Sequence, residues 1–288
     1  MVLAQKGYHY ATPWLESVSG EVFGFVYIQR KQRPFAVIGY EYHLAGEHLL
    51  QTLNYEYTYT GATNDTEALA ALDQALQAGP VVAGMLDMGY LSYAPGHIYT
   101  RGVDHAVVVL KRTDDTVLLH DPAGFIAVPL PLSDFLEAWK RDVYTGKPYG
   151  LWQIGAQRSQ PDEQEIWERT LTYARELCTR QEQVSDKGRF ICGPQGIRAL
   201  AADIRAAADP ELLRSFAYWS WQLSGQRCLD GATFLRERLP EAAALRWEQC
   251  LIYSQLQYAS VASEIDKATE LLERLADYEE RFIAALGS

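Results

Sequence analysis

The sequence predicts an α+β protein in which a domain built on an antiparallel sheet is followed by an all-helical domain. Short apolar runs separated by turn residues fill the middle of the chain, as is typical of strands. Beyond residue 164 the apolar residues recur at three-or-four spacing, as they do on one face of a helix. Residues 157–163 are polar and contain a proline, which favours a linker. We therefore expect domains at 1–156 and 164–288.

The stretch from Gly102 to Leu130 predicts three consecutive strands. The runs HAVVVLKR, TVLLHD and FIAVPL are apolar, and turn residues separate them. His105 begins the first run and Asp121 ends the second. Because the strands of a hairpin are antiparallel, the start of one lies beside the end of the other, so these two side chains are expected to meet. A carboxylate there would orient the imidazole; the alternative is a histidine bonded to backbone and an aspartate that only forms a turn.

The remaining elements follow in order along the chain. Glycine-punctuated, aromatic-rich runs after the first helix predict short strands, and residues 65–79 predict a helix that ends at a glycine. A strand follows at VVAGMLDM, residues 131–140 form a helix after the hairpins, and YGLWQIGA closes the first domain. The predicted helices of the second domain cover residues 164–181, 195–208, a segment starting at 209, a short piece at 234–235, and a long pair within 241–286.

Charge and composition exclude several classes of function. The formal charge is −11 without a cluster of lysine or arginine, which argues against nucleic acid or an anionic membrane as a partner. The sequence contains no apolar run of about 18 residues and no basic-then-apolar N-terminus, so we expect a cytoplasmic protein that does not enter a membrane. The four cysteines lack C-x-x-C spacing, which disfavours a zinc site or disulfides. His43 and His48 lie one residue too far apart for a zincin helix, so no metal and no cofactor is expected.

Several segments together resemble a known family. They are Gly79-Pro80 before an apolar strand, the segment Tyr90–Tyr93, and the strands that carry His105 and Asp121. They resemble the papain-like fold of C39-type cysteine peptidases, most closely the butirosin-biosynthesis protein H family. The N-terminal domain of that family is a papain-like acyltransferase and its C-terminal part is helical. The resemblance is clearest over residues 79–155, and it implies that His105 and Asp121 are the catalytic histidine and acid.

The same resemblance implies a nucleophilic cysteine at the start of an N-terminal helix. There the helix dipole and an imidazole stabilise a thiolate, and a glutamine six residues earlier donates to the oxyanion. Gln5 matches that glutamine and places Ala11 at the nucleophile position, whereas aligning the family's His-Cys dipeptide selects Tyr10. Three explanations are open: a protein without the nucleophile, a different attacking group, or a cysteine replaced by alanine in this sequence. Cys192, in a Cys-Gly-Pro motif before a helix, is an alternative that breaks the family's order.

Other side chains near these positions are candidates to contact a substrate. Packing and turn capping are the alternatives for the aromatic residues and for the aspartate, respectively. The candidates are Tyr10, Trp14, Phe25, Asp87, Tyr90 and Tyr93.

The resemblance implies an acyltransferase of specialised metabolism. A thiolate at position 11 would accept an acyl group from a thioester on a small molecule or carrier protein and pass it to an amine, with His105 moving the proton. Two alternatives remain: a papain-like binding protein without catalysis, and a hydrolase of small amides or peptides. The long C-terminal helices can pair within the chain or, in a homo-oligomer, between subunits.

Overall fold

A computed structural model describes residues 2–30, 34–39, 42–141, 147–185 and 188–287. The helices are α1 (Val2–Gln5), α2 (Thr12–Ser19), α3 (Tyr42–Thr52), α4 (Asp65–Leu76), α5 (Leu132–Trp139), α6 (Glu163–Cys178), α7 (Gly193–Ala207), α8 (Pro210–Ala217), α9 (Ser220–Leu235), α10 (Pro240–Val261) and α11 (Ile265–Gly287). The strands are β1 (Phe25–Gln29), β2 (Phe35–Ile38), β3 (Tyr55–Thr60), β4 (Val81–Asp87), β5 (Asp104–Arg112), β6 (Thr116–Asp121), β7 (Phe125–Pro131), β8 (Leu151–Gln157), β9 (Gln183–Ser185) and β10 (Gly188–Cys192).

The chain divides into two compact units, and the first consists of the segment up to His9 together with Tyr55–Ser159. Its centre is a six-stranded antiparallel sheet in the order β3-β8-β4-β5-β6-β7. Strand β5 alternates buried and half-buried residues, as expected for a strand with one face on a core. That core joins the inner face of the sheet to the apolar sides of α4 and α5, and includes Leu72, Val107, Leu119, Phe135 and Trp139.

The second unit consists of Tyr10–Asn54 and the chain from Gln160 onward. A four-stranded antiparallel sheet, β2-β1-β10-β9, packs against helices of the same unit. Tyr27 on β1 faces this core and Leu200, Leu256 and Leu272 line it from three different helices. The units reflect spatial proximity, so they do not test the predicted domain boundaries, which stay a prediction.

The predicted α+β class, with antiparallel sheets and a helical C-terminal region, is confirmed. The C-terminal region is nevertheless not all helical, because it contains β9 and β10. Strand β10 pairs with β1, with Cys192 opposite Val26, and supplies the backbone partners that one side of β1 needs. The predicted short helix at 234–235 is the end of the continuous helix α9. Within the described ranges, no helix combines the length and the apolar character needed to cross a membrane.

Candidate active site

The hairpin of β5 and β6 brings His105 and Asp121 together, as the strand pattern predicts. The two strands pair antiparallel, with Val108 opposite His120, so the start of β5 lies beside the end of β6. His105 Nε2 lies 2.7 Å from Asp121 Oδ1. The two residues are 8% and 2% exposed, so the pair is largely shielded from water.

Asp121 accepts two further hydrogen bonds. The backbone N–H of Ala123 donates to Oδ1 at 2.7 Å, and the Tyr93 hydroxyl donates to Oδ2 at 2.6 Å. Burial opposes ionisation of the carboxyl, but the bonds from His105, Tyr93 and Ala123 outweigh it, so the pKa of Asp121 is lowered. The carboxylate is therefore charged at neutral pH and acts only as an acceptor.

This carboxylate determines which nitrogen of His105 can react. Because Asp121 is an acceptor, Nε2 carries the proton that points towards it and Nδ1 holds the lone pair in the neutral ring. The His105 side chain keeps 10% of its surface exposed. A buried histidine with a fixed tautomer and one remaining basic nitrogen is suited to general acid–base chemistry.

Tyr93 holds Asp121 from a segment that precedes β5. Burial, together with the hydrogen bond to the Asp121 carboxylate, raises the pKa of Tyr93, so its hydroxyl remains a donor. Its ring packs edge-on against Phe125, with the ring centroids 5.1 Å apart. Tyr93 is a predicted substrate contact, and the structure places its hydroxyl on the aspartate instead of in open space.

Ala11, the predicted nucleophile position, lies in the second unit. It is the N-cap residue of α2, and its carbonyl accepts from the N–H groups of Trp14 and Leu15. The N-cap places a side chain at the positive end of the helix dipole, where a thiolate would be stabilised. The alanine methyl can neither cap the helix nor act as a nucleophile. Tyr10 stacks on Trp14, with centroids 4.7 Å apart and planes 10° apart.

Gln5, the predicted oxyanion donor, is the exposed last residue of α1 in the first unit. A Cβ added at Gly79 would lie 2.9 Å from Gln5 Oε1, so the Gln5 side chain reaches the turn that leads into β4.

Comparisons with known proteins match both parts of the chain. Residues 1–122 match the model of butirosin biosynthesis protein H, N-terminal. Residues 187–287 match the YobF C-terminal domain. The chain is 30% identical over 241 residues to an uncharacterized protein, YobF of Bacillus subtilis (strain 168), covering 80% of this chain and 78% of that protein. The chain belongs to this butirosin biosynthesis protein H-like family. The N-terminal family match includes Gln5, Ala11, His105 and Asp121.

Asp87 and Tyr90 are two further predicted substrate contacts, and both interact with neighbouring residues of the chain. Asp87 ends β4 and is 6% exposed, and its Oδ1 accepts from the N–H groups of Gly89 and Gly102 at 2.8 and 2.9 Å. It therefore caps the turn after the strand. The guanidinium groups of Arg101 and Arg141 both contact the Tyr90 ring, at 5.4 and 4.7 Å from its centroid.

Phe25 is a packing residue in this family member. It is 1% exposed and belongs to the core of the second unit, which leaves almost no surface for a ligand. These surroundings are those of core packing, the alternative given for the aromatic candidates in the sequence.

One histidine and two cysteines outside the hairpin lie in packed or buried positions. His48 stacks on Tyr173 at 3.9 Å, and its Nε2 lies 3.2 Å from Thr52 Oγ1. Cys192 is 8% exposed and is the N-cap residue of α7. Burial raises the pKa of Cys178 to about 12, so this thiol is protonated and unreactive at neutral pH.

Sequence reasoning found the His105–Asp121 pair but missed how Asp121 is held. The amide of Ala123 could have been expected from the Asp-Pro-Ala-Gly turn, because aspartate often accepts from the amide two residues on. The Tyr93 hydroxyl bond joins residues 28 apart in sequence. No local pattern signals such a contact.

Proposed function

We propose that this protein has a papain-like N-terminal domain and transfers an acyl group from a thioester to an amine, with His105 as the acid and base. The observation that carries the proposal is the buried contact between His105 Nε2 and Asp121. A carboxylate that fixes the imidazole tautomer and stabilises the imidazolium is the arrangement that acyl-transfer enzymes use. The family match to a protein of butirosin biosynthesis supports a role in specialised metabolism.

The proposed reaction requires only the two substrates and His105, which moves one proton from the amine to the leaving thiolate. The amine nitrogen attacks the thioester carbonyl carbon while His105 Nδ1 takes the proton that the amine loses. The carbon–sulfur bond then breaks, and the leaving thiolate receives the proton from the imidazolium. The products are an amide and a free thiol. A cysteine at position 11 would divide the same transfer into two steps, through an acyl-cysteine.

A second candidate function is binding of an acyl thioester without turnover. Ala11 favours it, because this residue occupies the N-cap of α2 but carries no nucleophilic atom. A protein of this kind would keep the acyl group intact and present it to another enzyme.

Thiol release from a small acyl thioester, with and without an added amine, tests the two candidates. We expect amine-dependent release that falls by about 100-fold or more in His105→Ala, the range typical of general acid–base catalysis. His97→Ala is the matched control, since the hydrogen-bond partner of His97 Nδ1 is the carbonyl oxygen of Ala94, at 3.1 Å. Release that does not depend on His105 contradicts the acyltransferase. A product formed with water in place of the amine identifies a hydrolase.

Alkylation of Ala11→Cys tests the role of position 11. Treatment at neutral pH with a mild thiol reagent, followed by mass spectrometry, compares position 11 with Cys178 and Cys250. We expect rapid labelling at position 11 that is lost in the Ala11→Cys, His105→Ala double variant, as the family resemblance implies for a cysteine–histidine pair. If position 11 labels no faster than Cys250, then it is not the nucleophile position, and the binding protein becomes the leading candidate.

A further inference from the structure

The outer face of helix α10 is apolar over most of its length. The helix spans 22 residues, about 33 Å at 1.5 Å per residue. Its inner residues, such as Ile252 and Leu256, pack in the core of the second unit. On the outer face, Trp247, Tyr258 and Val261 are 46%, 70% and 63% exposed. A helix with apolar residues on both faces normally has both faces covered.

The neighbouring helix α11 shows what an ordinary solvent-facing surface looks like in this unit. Its exposed positions include Lys267, Glu270, Arg274, Asp277 and Glu280. From Ala244 to Val261, helix α10 carries two charged residues, of which Arg246 is buried and Glu248 is half-buried. Exposed apolar patches of this kind mark interaction surfaces on soluble proteins.

Six of the exposed residues have the spacing of a helix–helix seam, and the exposed Gln255 lies beside them. Steps of three and four residues alternate along the face, as do the a and d positions of a heptad repeat. We call these residues the α10 stripe: Ala244, Trp247, Leu251, Ser254, Tyr258 and Val261.

We propose that the α10 stripe is the interface through which two copies of this chain form a symmetric dimer, with the two α10 helices antiparallel. A two-fold axis between Leu251 and Ser254 brings every stripe residue opposite another stripe residue. Trp247 then faces Tyr258 of the second copy, and Leu251 faces Ser254. The spacings along the stripe are 3, 4, 3, 4 and 3 residues, which is the same sequence of spacings in both chain directions. The stripe of an antiparallel second copy therefore matches it residue for residue.

The size of the surface agrees with a dimer. An aromatic side chain offers about 150–250 Å² for burial, so the exposed parts of the stripe amount to roughly 500 Å² per chain. Tyr218, which is 85% exposed, follows Ala217, whose carbonyl accepts from Gln257 of α10, so this ring lies near the helix. Two copies would remove on the order of 1,000 Å² from water, which is about the minimum for a specific interface.

The oligomeric state of the full chain tests the proposal directly. Sedimentation velocity over a range of concentrations should show a dimer for the natural sequence and a monomer for Tyr258→Glu. Tyr99→Glu is the matched control, because Tyr99 is 76% exposed but lies in the first unit, and it should remain dimeric. Far-ultraviolet circular dichroism verifies that each variant is folded, and Val261→Glu serves as a second disrupting variant.

A charge exchange tests the antiparallel register. Leu251→Glu alone should give a monomer, because it buries a carboxylate opposite Ser254 of the second copy. The double variant Leu251→Glu, Ser254→Lys should restore the dimer, since each glutamate then faces a lysine. In a parallel arrangement the like charges would face each other and the double variant would stay monomeric.

The dependence of dimer affinity on salt concentration is a further test. Each chain carries a formal charge of −11, so two copies repel one another and added salt screens this repulsion. The dimer should therefore tighten as sodium chloride rises from about 0.05 to 0.5 M. A natural sequence that is monomeric at every concentration, or a dimer that Tyr258→Glu and Val261→Glu leave intact, overturns the proposal. In that case the stripe would be left to a different protein.

Discussion

The Tyr93 hydroxyl donates to Asp121 Oδ2 at 2.6 Å, while His105 contacts the other oxygen of the same carboxylate. Asp121 therefore links an aromatic side chain before β5 to the imidazole that begins the hairpin. Tyr93 is therefore a positioning residue, because its hydroxyl orients the Asp121 carboxylate, which in turn orients the His105 imidazole.

Replacing Tyr93 with phenylalanine should destabilise the protein. The substitution keeps the ring against Phe125 but removes a donor from a buried carboxylate, and a hydrogen bond to a charged group contributes about 1.5–3 kcal/mol. The free energy of unfolding in urea measures the loss. Tyr99→Phe, on an exposed ring, should change that free energy by no more than about 0.5 kcal/mol. Equal effects of the two substitutions would contradict the proposed support of Asp121.

Asp121 should make the protein less stable in acid. Its pKa in the folded state is below the ordinary value of 3.8, so the unfolded state binds this proton first as the pH falls. The stability from the ionised carboxylate is fully present well above pH 3.8 and is lost as the pH falls through the folded pKa. Asp121→Asn should cost free energy of unfolding near neutral pH, and this cost should shrink below about pH 4. A cost that is the same at every pH would show that Asp121 does not titrate in this range.

His48 should make the free energy of unfolding depend on pH in a higher range than Asp121 does. Burial, with a smaller contribution from Arg169, lowers the pKa of His48 from 6.5 to about 4. The unfolded state therefore binds a proton below pH 6.5 that the folded state does not bind until about pH 4, and the free energy of unfolding falls as the pH drops through this window. His48→Gln should flatten the slope of unfolding free energy between these values. Equal slopes for the natural protein and His48→Gln would refute the assignment.

A buried ion pair in the second unit should be costly to break on one side. Arg246 Nη1 lies 2.8 Å from Glu279 Oε2, with side chains 0% and 1% exposed, and Gln249 Nε2 donates to the same oxygen at 2.7 Å. Arg246→Met leaves a buried carboxylate without its cation and should cost about 3–5 kcal/mol of unfolding free energy. The double variant Arg246→Met, Glu279→Leu should recover most of that loss. Urea unfolding of the four proteins in this cycle gives the coupling, and additive effects would contradict it.

Local patterns in the sequence were enough for the hairpin and for the helices. The alternation in β5 and the turn after Arg112 specify two antiparallel strands, and this pairing alone brings His105 to Asp121. The three-or-four spacing of Ala268, Leu272 and Leu275 specifies one buried face of α11, because a helix repeats every 3.6 residues. Each of these features depends on residues that are close in sequence.

Tertiary structure decided what depends on residues far apart in sequence. Strand β10 pairs with β1 across more than half of the chain, so a short polar-flanked run in a helical region becomes a strand. The hydrogen bond of Tyr93 to Asp121 and the burial of Phe25 in a core also depend on neighbours that the fold brings from elsewhere in the chain. The α10 stripe is also a tertiary result: the sequence shows apolar residues around the whole helix, and only the packing of its neighbours determines which of them remain exposed.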